Sequence, residues 1–127
     1  MKFPRVLLSA AALVSAILAQ SALADHHESH DKSIKALLVT GGCCHNYKAQ
    51  TDALKDGLKP YGEILWTVIN EGGRGTQAQI DLYKDPDWAK KFDVVVHNEC
   101  FANTKDEAYV KSITEAHKAG VPGGVIH

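Results

Sequence analysis

The chain has 127 residues, about the length of one ordinary domain. Its composition, 45% hydrophobic and 23% charged, is that of a globular protein and excludes a collagen-like, coiled-coil or fully disordered chain. The formal net charge of −1 shows no basic excess, so the composition gives no indication of a nucleic-acid partner.

The first 24 residues have the pattern of a secretory signal peptide. Lys2 and Arg5 supply positive charge, residues 6–19 form an apolar run, and Ala22-Leu23-Ala24 is a small-x-small cleavage pattern. The apolar run is short for a bilayer span, which disfavours an uncleaved anchor. We therefore predict cleavage after Ala24 and a periplasmic or secreted protein that keeps no stable membrane anchor.

A polar stretch with three histidines, His26, His27 and His30, follows at residues 25–33. We interpret it as a linker. A histidine-rich tract can collect metal ions, but three histidines without a rigid frame make a weak and unselective ligand set. The folded domain is then expected to occupy residues 34–127.

Strand-like and helix-like patterns alternate along this domain. Short apolar or β-branched runs predict strands at residues 34–40, 63–70, 93–97 and 121–127. Helical spacing predicts helices at 47–58 and 105–119, with a short helical turn at 85–91, whereas residues 77–85 are ambiguous.

This alternation is typical of an α/β fold with a doubly wound parallel sheet, right-handed crossovers and helices on both faces. We expect the strand order 2-1-3-4, with strand 2 at an edge. The fourth strand ends at the last residue, where a functional loop would begin, so we expect a domain truncated after its fourth strand.

Reactive side chains are concentrated where the predicted strands end, which is where open α/β sheets bind ligands. They follow strands 1 and 3 or end strand 4, and they are Cys43, Cys44, His45, Tyr47, His97, Asn98, Glu99, Cys100 and His127.

Three kinds of chemistry could use this cluster. One is nucleophilic, with Cys44 or Cys100 as a thiolate and a histidine as base. A second is a divalent metal site of the zinc type, formed by His45, His97, Glu99 and His127, although no fixed zinc-motif spacing supports it. The third is ligand binding by polar loop groups.

Familiar nucleotide motifs are missing. The glycine-rich residues 71–76 lack phosphate-loop spacing and open no dinucleotide-type helix, so no nicotinamide cofactor is expected.

Two segments, KALLVTGGCCHNYKAQTDALKDGL and DPDWAKKFDVVVHNECFANTKDEAYVKSITEAHKAGVPGGVIH, resemble the ThuA-like (trehalose-utilisation) domain family. The resemblance covers nearly all of residues 34–127. Its most specific parts are the GG-C-C-H-x-Y loop and the strand that ends in V-V-H-N-E-C-F.

The resemblance implies a flavodoxin-like fold of the class I glutamine amidotransferase-like superfamily, and a role in the metabolism of trehalose and related sugars. The recurrent polar positions of the family fall on His45, His97, Asn98, Glu99 and His127. The chain lacks the G-x-C-x-G motif that carries the amidotransferase nucleophile, so glutaminase activity is not implied. It also has Gly123-Gly124 where the family pattern tends to have a larger aliphatic residue, and it lacks the segment by which members usually continue.

The resulting expectation is an exported protein that acts on, or binds, a carbohydrate-derived small molecule. His45, His97 and Glu99 are the candidate catalytic groups, as proton donors and acceptors or ligands. The candidate substrate-binding groups are Asn98, Tyr47 and His127. The alternatives are a non-catalytic sugar-binding or interaction module, and an inactive fragment of a longer protein.

The three cysteines are expected to stay reduced, because a bridge to Cys100 would restrict the loop that holds the candidate site. The rival expectation is a bridge from Cys43 or Cys44 to Cys100, which neighbouring strands would permit. A ring between adjacent cysteines is expected to be strained.

Overall fold

The structure, a computed structural model, describes residues 32–77 and 79–126. The predicted signal peptide, the linker histidines and His127 lie outside these residues. Within the described ranges, the chain forms four strands: β1 (Ile34–Gly42), β2 (Ile64–Asn70), β3 (Val94–Cys100) and β4 (Gly123–Val125). The same residues form α-helices α1 (Tyr47–Leu58) and α2 (Glu107–Lys118), and short 3-10 turns cover Lys59–Tyr61 and Asp81–Lys84.

All strand pairs are parallel, in the order β2-β1-β3-β4. The predicted fold class and strand order are therefore confirmed, with β2 at an edge. Residues 36–42 of β1 are all buried, because β1 lies between β2 and β3 with structure on both of its faces.

Side-chain caps fix the start of each α-helix. The Asn46 Oδ1 atom accepts the Ala49 N–H at 3.1 Å, and the Asp106 Oδ1 atom accepts the N–H groups of Ala108 and Tyr109 at 3.0 and 3.1 Å. These bonds satisfy amide groups that have no partner within a helix. In the part of the chain that the structure describes, no helix is long and apolar enough to cross a membrane.

The main core lies on the α2 side of the sheet. Its buried members come from β1, β3 and the segment between β2 and β3, and they are Leu37, Val39, Ile80, Tyr83, Trp88, Ala89 and Val95. Tyr109, Ile113 and Ala116 of α2 pack against this cluster. The segment that the sequence left ambiguous therefore contributes Ile80 and Tyr83 to the centre of the core.

Strand β3 is longer than predicted, since Asn98, Glu99 and Cys100 were expected in a loop. They pair instead with β1, which continues through two glycines, so that Gly41 lies opposite Glu99 and Gly42 opposite Cys100. A side chain at Gly42 would overlap the Cys100 carbonyl group, so the absence of a Cβ atom allows this pairing to continue.

Candidate functional site

A narrow cleft opens where β1 and β3 end. It is lined by residues of the β1–α1 segment, of β3 and of the chain after β4, namely His45, Tyr47, Gln50, Asn98, Glu99, Cys100 and Ile126. The structure thus brings four predicted site residues together: His45, Tyr47, Asn98 and Glu99. The volume of the cleft is about 10 Å³, roughly the space that one water molecule or one hydroxyl group occupies.

A larger groove, of about 700 Å³, lies near the starts of β1 and β2 and includes Lys35, Ile64 and Trp66 among its lining residues. None of the predicted site residues that the structure describes lines it. Ligands of open parallel sheets bind at the carboxyl ends of the strands, so the smaller cleft is the better candidate for the site.

Successive residues of β3 face opposite sides of the sheet. Asn98, only 4% exposed, faces α1, and its Nδ2 atom donates to Gln50 Oε1 at 3.3 Å. His97 and Glu99 face the α2 side, where they meet the main core. The strand therefore separates the candidate acid–base groups from the candidate hydrogen-bonding amide.

One oxygen of the Glu99 carboxylate is held from two directions. The Tyr83 hydroxyl group donates to Oε1 at 2.5 Å, and the His97 Nδ1 atom lies 2.9 Å from the same oxygen. The other oxygen, Oε2, is buried and finds no hydrogen-bond partner among the residues that the structure describes. The Glu99 side chain, 12% exposed, lines the cleft. A fixed carboxylate with one unused acceptor thus borders the cleft.

His97 connects Glu99 to a second histidine. Its Nε2 atom lies 2.9 Å from the Nε2 atom of His117, near the end of α2. The His117 Nδ1 atom lies 2.8 Å from the carbonyl oxygen of Val121. Glu99, His97, His117 and the Val121 carbonyl group therefore form an unbroken line of polar contacts, which we call the His97 chain.

Aromatic rings enclose the His97 chain. The Trp88 ring, on a residue only 2% exposed, meets the rings of both His97 and His117 edge to face, with centroids 6.1 Å apart in each pair. Burial and the nearby Glu99 carboxylate raise the pKa of Tyr83 well above its usual value. Tyr83 therefore keeps its proton and donates to Glu99 throughout the ordinary pH range.

The cysteine expectations were wrong. Cys43 and Cys44 form a disulfide with each other, and Cys100 has a free thiol. Adjacent positions keep the two sulfur atoms together, and Cys44 adopts a φ of 85°, which is rare for a residue other than glycine. Cys100 is instead tied to this loop through its backbone, because its carbonyl oxygen accepts the Cys43 N–H at 3.3 Å. While the disulfide is intact, Cys44 is not a thiolate.

Tyr47 fixes the loop that carries the disulfide. Its hydroxyl group donates to the Cys43 carbonyl oxygen at 2.8 Å, and burial raises the pKa of Tyr47. His45 is exposed, and its ring meets the Tyr47 ring edge to face at a centroid distance of 5.9 Å. Tyr47 therefore positions the loop while its ring also lines the cleft.

The predicted metal set includes His127, which the structure does not describe. Within residues 32–77 and 79–126, no group of three or more His, Cys, Asp or Glu residues is arranged to hold a metal ion. Both ring nitrogens of His97 are already within hydrogen-bond distance of protein atoms. The described donor set does not fit a resident metal, and the set that includes His127 stays a prediction.

Tyr83, Trp88 and His117 belong to the cluster around His97 although the sequence did not predict them as site residues. A signal for His117 is present, because Tyr109, Ile113 and His117 are spaced by four and lie on one face of α2. That face packs on the core, so a histidine at its end points towards β3. Tyr83 and Trp88 lie in a segment without regular periodicity, which gives no comparable signal.

Comparisons of the chain with protein-family models, with curated proteins and with solved structures found no match. The resemblance to the ThuA-like family therefore rests on the two sequence motifs alone.

Proposed function

We propose that the chain is an exported ThuA-like domain that binds a small carbohydrate-derived molecule at the cleft, where Glu99, with His97 behind it, exchanges a proton with a ligand hydroxyl group. The observation that supports this most is the Oε2 atom of Glu99, a buried acceptor that lacks a partner among the described residues. Buried polar groups nearly always have a hydrogen-bond partner, so an unused one beside a cleft suits a ligand donor.

The size and lining of the cleft support the same ligand class. A space of about 10 Å³ admits one hydroxyl group and not a sugar ring, so the ring would lie across the mouth with one hydroxyl inserted. Polar side chains of His45 and Gln50 and the apolar side chain of Ile126 line it together. A sugar matches this mixed lining, because it presents both polar hydroxyl groups and apolar C–H faces.

Calorimetric titration of the purified full-length chain with trehalose, glucose and gluconate tests binding. We expect binding of at least one of them, weakened roughly tenfold by Glu99→Gln, because a hydrogen bond to a charged acceptor contributes about 1.5–3 kcal/mol. The matched control is Glu63→Gln, an exposed acid beside β2 that should leave affinity unchanged. No binding of any of the three by the wild type would contradict the proposal.

The alternative is a sugar-binding module without catalysis. Proton NMR of a bound sugar over time separates the two. Chemical change of the sugar with the wild type, and none with Glu99→Gln, supports an enzyme. Binding that leaves the sugar intact supports the module, for which Glu99 acts as a hydrogen-bond acceptor only.

A further inference from the structure

The groove of about 700 Å³ follows strand β2, and we call it the β2 groove. Four consecutive residues of the strand line it, Ile64, Leu65, Trp66 and Thr67. Successive side chains of a strand face opposite sides of a sheet, so the groove reaches both sides of β2. Among the described residues β2 pairs with β1 alone. The groove therefore passes from one side to the other around the start and the open edge of β2.

The backbone of β2 offers hydrogen-bonding groups at this open edge. The Glu63 carbonyl oxygen, just before β2, accepts the Ile34 N–H of β1 at 3.0 Å. Because the direction of these groups alternates along a strand, the odd-numbered residues of β2 direct their backbone groups towards β1. The even-numbered residues direct theirs to the open edge, and Ile64 and Trp66 do so within the groove. An extended segment of another chain can pair with these groups as an additional strand.

The β2 groove has an excess of positive charge. Its charged lining residues are all lysines: Lys35, Lys55, Lys59 and Lys91. Lys59 is paired with Asp56 at 2.6 Å, whereas the other three form no ion pair with the residues that the structure describes. The nearby Asp93 carboxylate accepts the backbone N–H of Lys35 at 2.8 Å. This charge favours a partner segment with Asp or Glu side chains.

The rest of the lining is mostly apolar. Leu65 is 48% exposed, Trp66 is partly buried, and Leu58 and Phe92 also line the groove. An open edge strand is a template for pairing with another chain, and lysines beside it oppose pairing with a second copy of the same chain. Two copies joined through β2 would bring the same lysines together. An acidic segment, in contrast, satisfies the open edge and the positive charge together.

We infer that the β2 groove is an interaction site for an acidic, extended segment of another protein, which joins the sheet as a strand beside β2. The backbone of the partner pairs with the open edge at Ile64 and Trp66, its apolar side chains lie against Leu65 and Trp66, and its carboxylates meet the lysines. About five to six residues, the usual length of a strand, form such a segment. The inference does not rest on the proposed function, because the groove and the cleft share no lining residue.

The test uses the purified full-length chain and a blocked six-residue peptide in which glutamate and valine alternate. Trp66 fluorescence measures the affinity, and amide hydrogen exchange followed by NMR measures the pairing. At a peptide concentration of about ten times Kd we expect about tenfold slower exchange of the Trp66 N–H, which faces the open edge. The Leu65 N–H, which faces β1, should change little. A peptide methylated at every backbone nitrogen keeps the side chains and the charge but lacks the N–H groups of a strand, and it should not bind.

Paired lysine substitutions test the role of charge. Lys35→Gln combined with Lys91→Gln should weaken peptide binding by about twofold to fivefold for each lysine, the usual size of an exposed ion pair. The matched control is Lys105→Gln combined with Lys111→Gln, which removes the same charge from exposed positions outside the groove and should leave the affinity unchanged.

Three results would overturn the inference. The first is unchanged exchange of the Trp66 N–H at millimolar peptide. The second is equal binding of the methylated peptide, or an equal loss of affinity in the two double variants, since either shows attraction without strand pairing at the groove. The third is binding of phosphatidylglycerol vesicles by a chain that does not bind the peptide, which would assign the lysines to a membrane surface. Sugar binding at the cleft enters none of these measurements, so failure here is distinguishable from failure of the proposed function.

Discussion

The Nε2 atoms of His97 and His117 lie 2.9 Å apart, although the two residues are 20 positions apart in the chain. The contact crosses from β3 to the last turn of α2, and its closeness depends on β4. A side chain at Gly123 would come within 2.6 Å of the His117 ring, so a glycine provides room for that ring. The lack of a side chain at Gly123 is therefore what allows this close contact.

Gly123→Ala is expected to displace the His117 ring and to lengthen its contact with His97. The added methyl group meets a side chain and not the backbone, so the fold should persist with a small loss of stability. Gly124→Ala is the matched control, because a Cβ atom there meets nothing within 4 Å. Ring nitrogen shifts of His97 should change in the first variant only, and a change in neither would contradict the packing described here.

Gly42→Ala should destabilise the protein strongly, because Gly42 has a φ of 97° and an added Cβ atom would overlap the Cys100 carbonyl group. Gly57 lies in α1 with open space around it, so Gly57→Ala should raise the free energy of unfolding by up to about 1 kcal/mol. Urea unfolding of both variants measures the two effects. Equal effects of the same sign would show that β1 does not approach β3 this closely.

Trp88→Ala is expected to lower the free energy of unfolding by about 3–5 kcal/mol, which is a large share of the stability of a small domain. The ring packs between Tyr83 and the two histidines, and its Nε1 atom donates to the Ser112 carbonyl oxygen at 3.2 Å. Trp88→Phe keeps most of the packing and should lose less. Chemical unfolding followed by Trp66 fluorescence compares the variants, and a harmless Trp88→Ala would contradict the core assignment.

Denatured, non-reduced protein should show one reactive thiol per chain, that of Cys100. Tryptic digestion distinguishes the pairing, because Cys43 and Cys44 share the peptide of residues 36–48 while Cys100 lies in residues 92–105. The first peptide should be lighter than its dithiol form by two hydrogen atoms. A cross-linked pair of peptides would instead indicate a bridge to Cys100.

Acid should weaken the cap of α2. The N–H groups of Tyr109 and Ala108 and the Gln79 amide lower the pKa of Asp106. A carboxyl group with a lowered folded-state pKa stabilises the fold above its unfolded pKa, about 3.9, and this contribution is lost as pH falls through the folded value. Asp106→Asn keeps an acceptor but does not titrate. The melting temperatures of wild type and variant should therefore differ near neutral pH and converge in acid.

Sequence patterns predicted the layers of this fold better than its contacts. The aliphatic run of β1 and the helical spacing of α1 depend on local periodicity, and the bounds predicted for α1, 47–58, match the helix. The end of β3 could not be predicted in the same way. Polar residues such as Asn98 and Glu99 are typical of loops, and they continue the strand only because the glycines of β1 lie beside them.

The location of the candidate site could be predicted from the sequence, but the contacts between its side chains could not. Ligands of parallel sheets bind at the carboxyl ends of the strands, which predicted that His45 and Glu99 lie near each other. Both residues line the cleft. The contact of His97 with His117 depends on how α2 packs across the sheet, which no local pattern encodes. The partner of Cys44 likewise depended on a backbone conformation with positive φ at that residue.

Strand β3 presents Asn98 to one side of the sheet and His97 and Glu99 to the other, so the cleft has two independently adjustable walls. Substitutions around Gln50 and Tyr47 can reshape the wall that faces α1 without touching the partly buried histidines His97 and His117. Substitutions in α2 can alter the acid–base groups without touching the amide wall. In the proposed site, ligand binding and proton exchange are therefore separable by substitution, because β3 lies between the groups proposed to carry them.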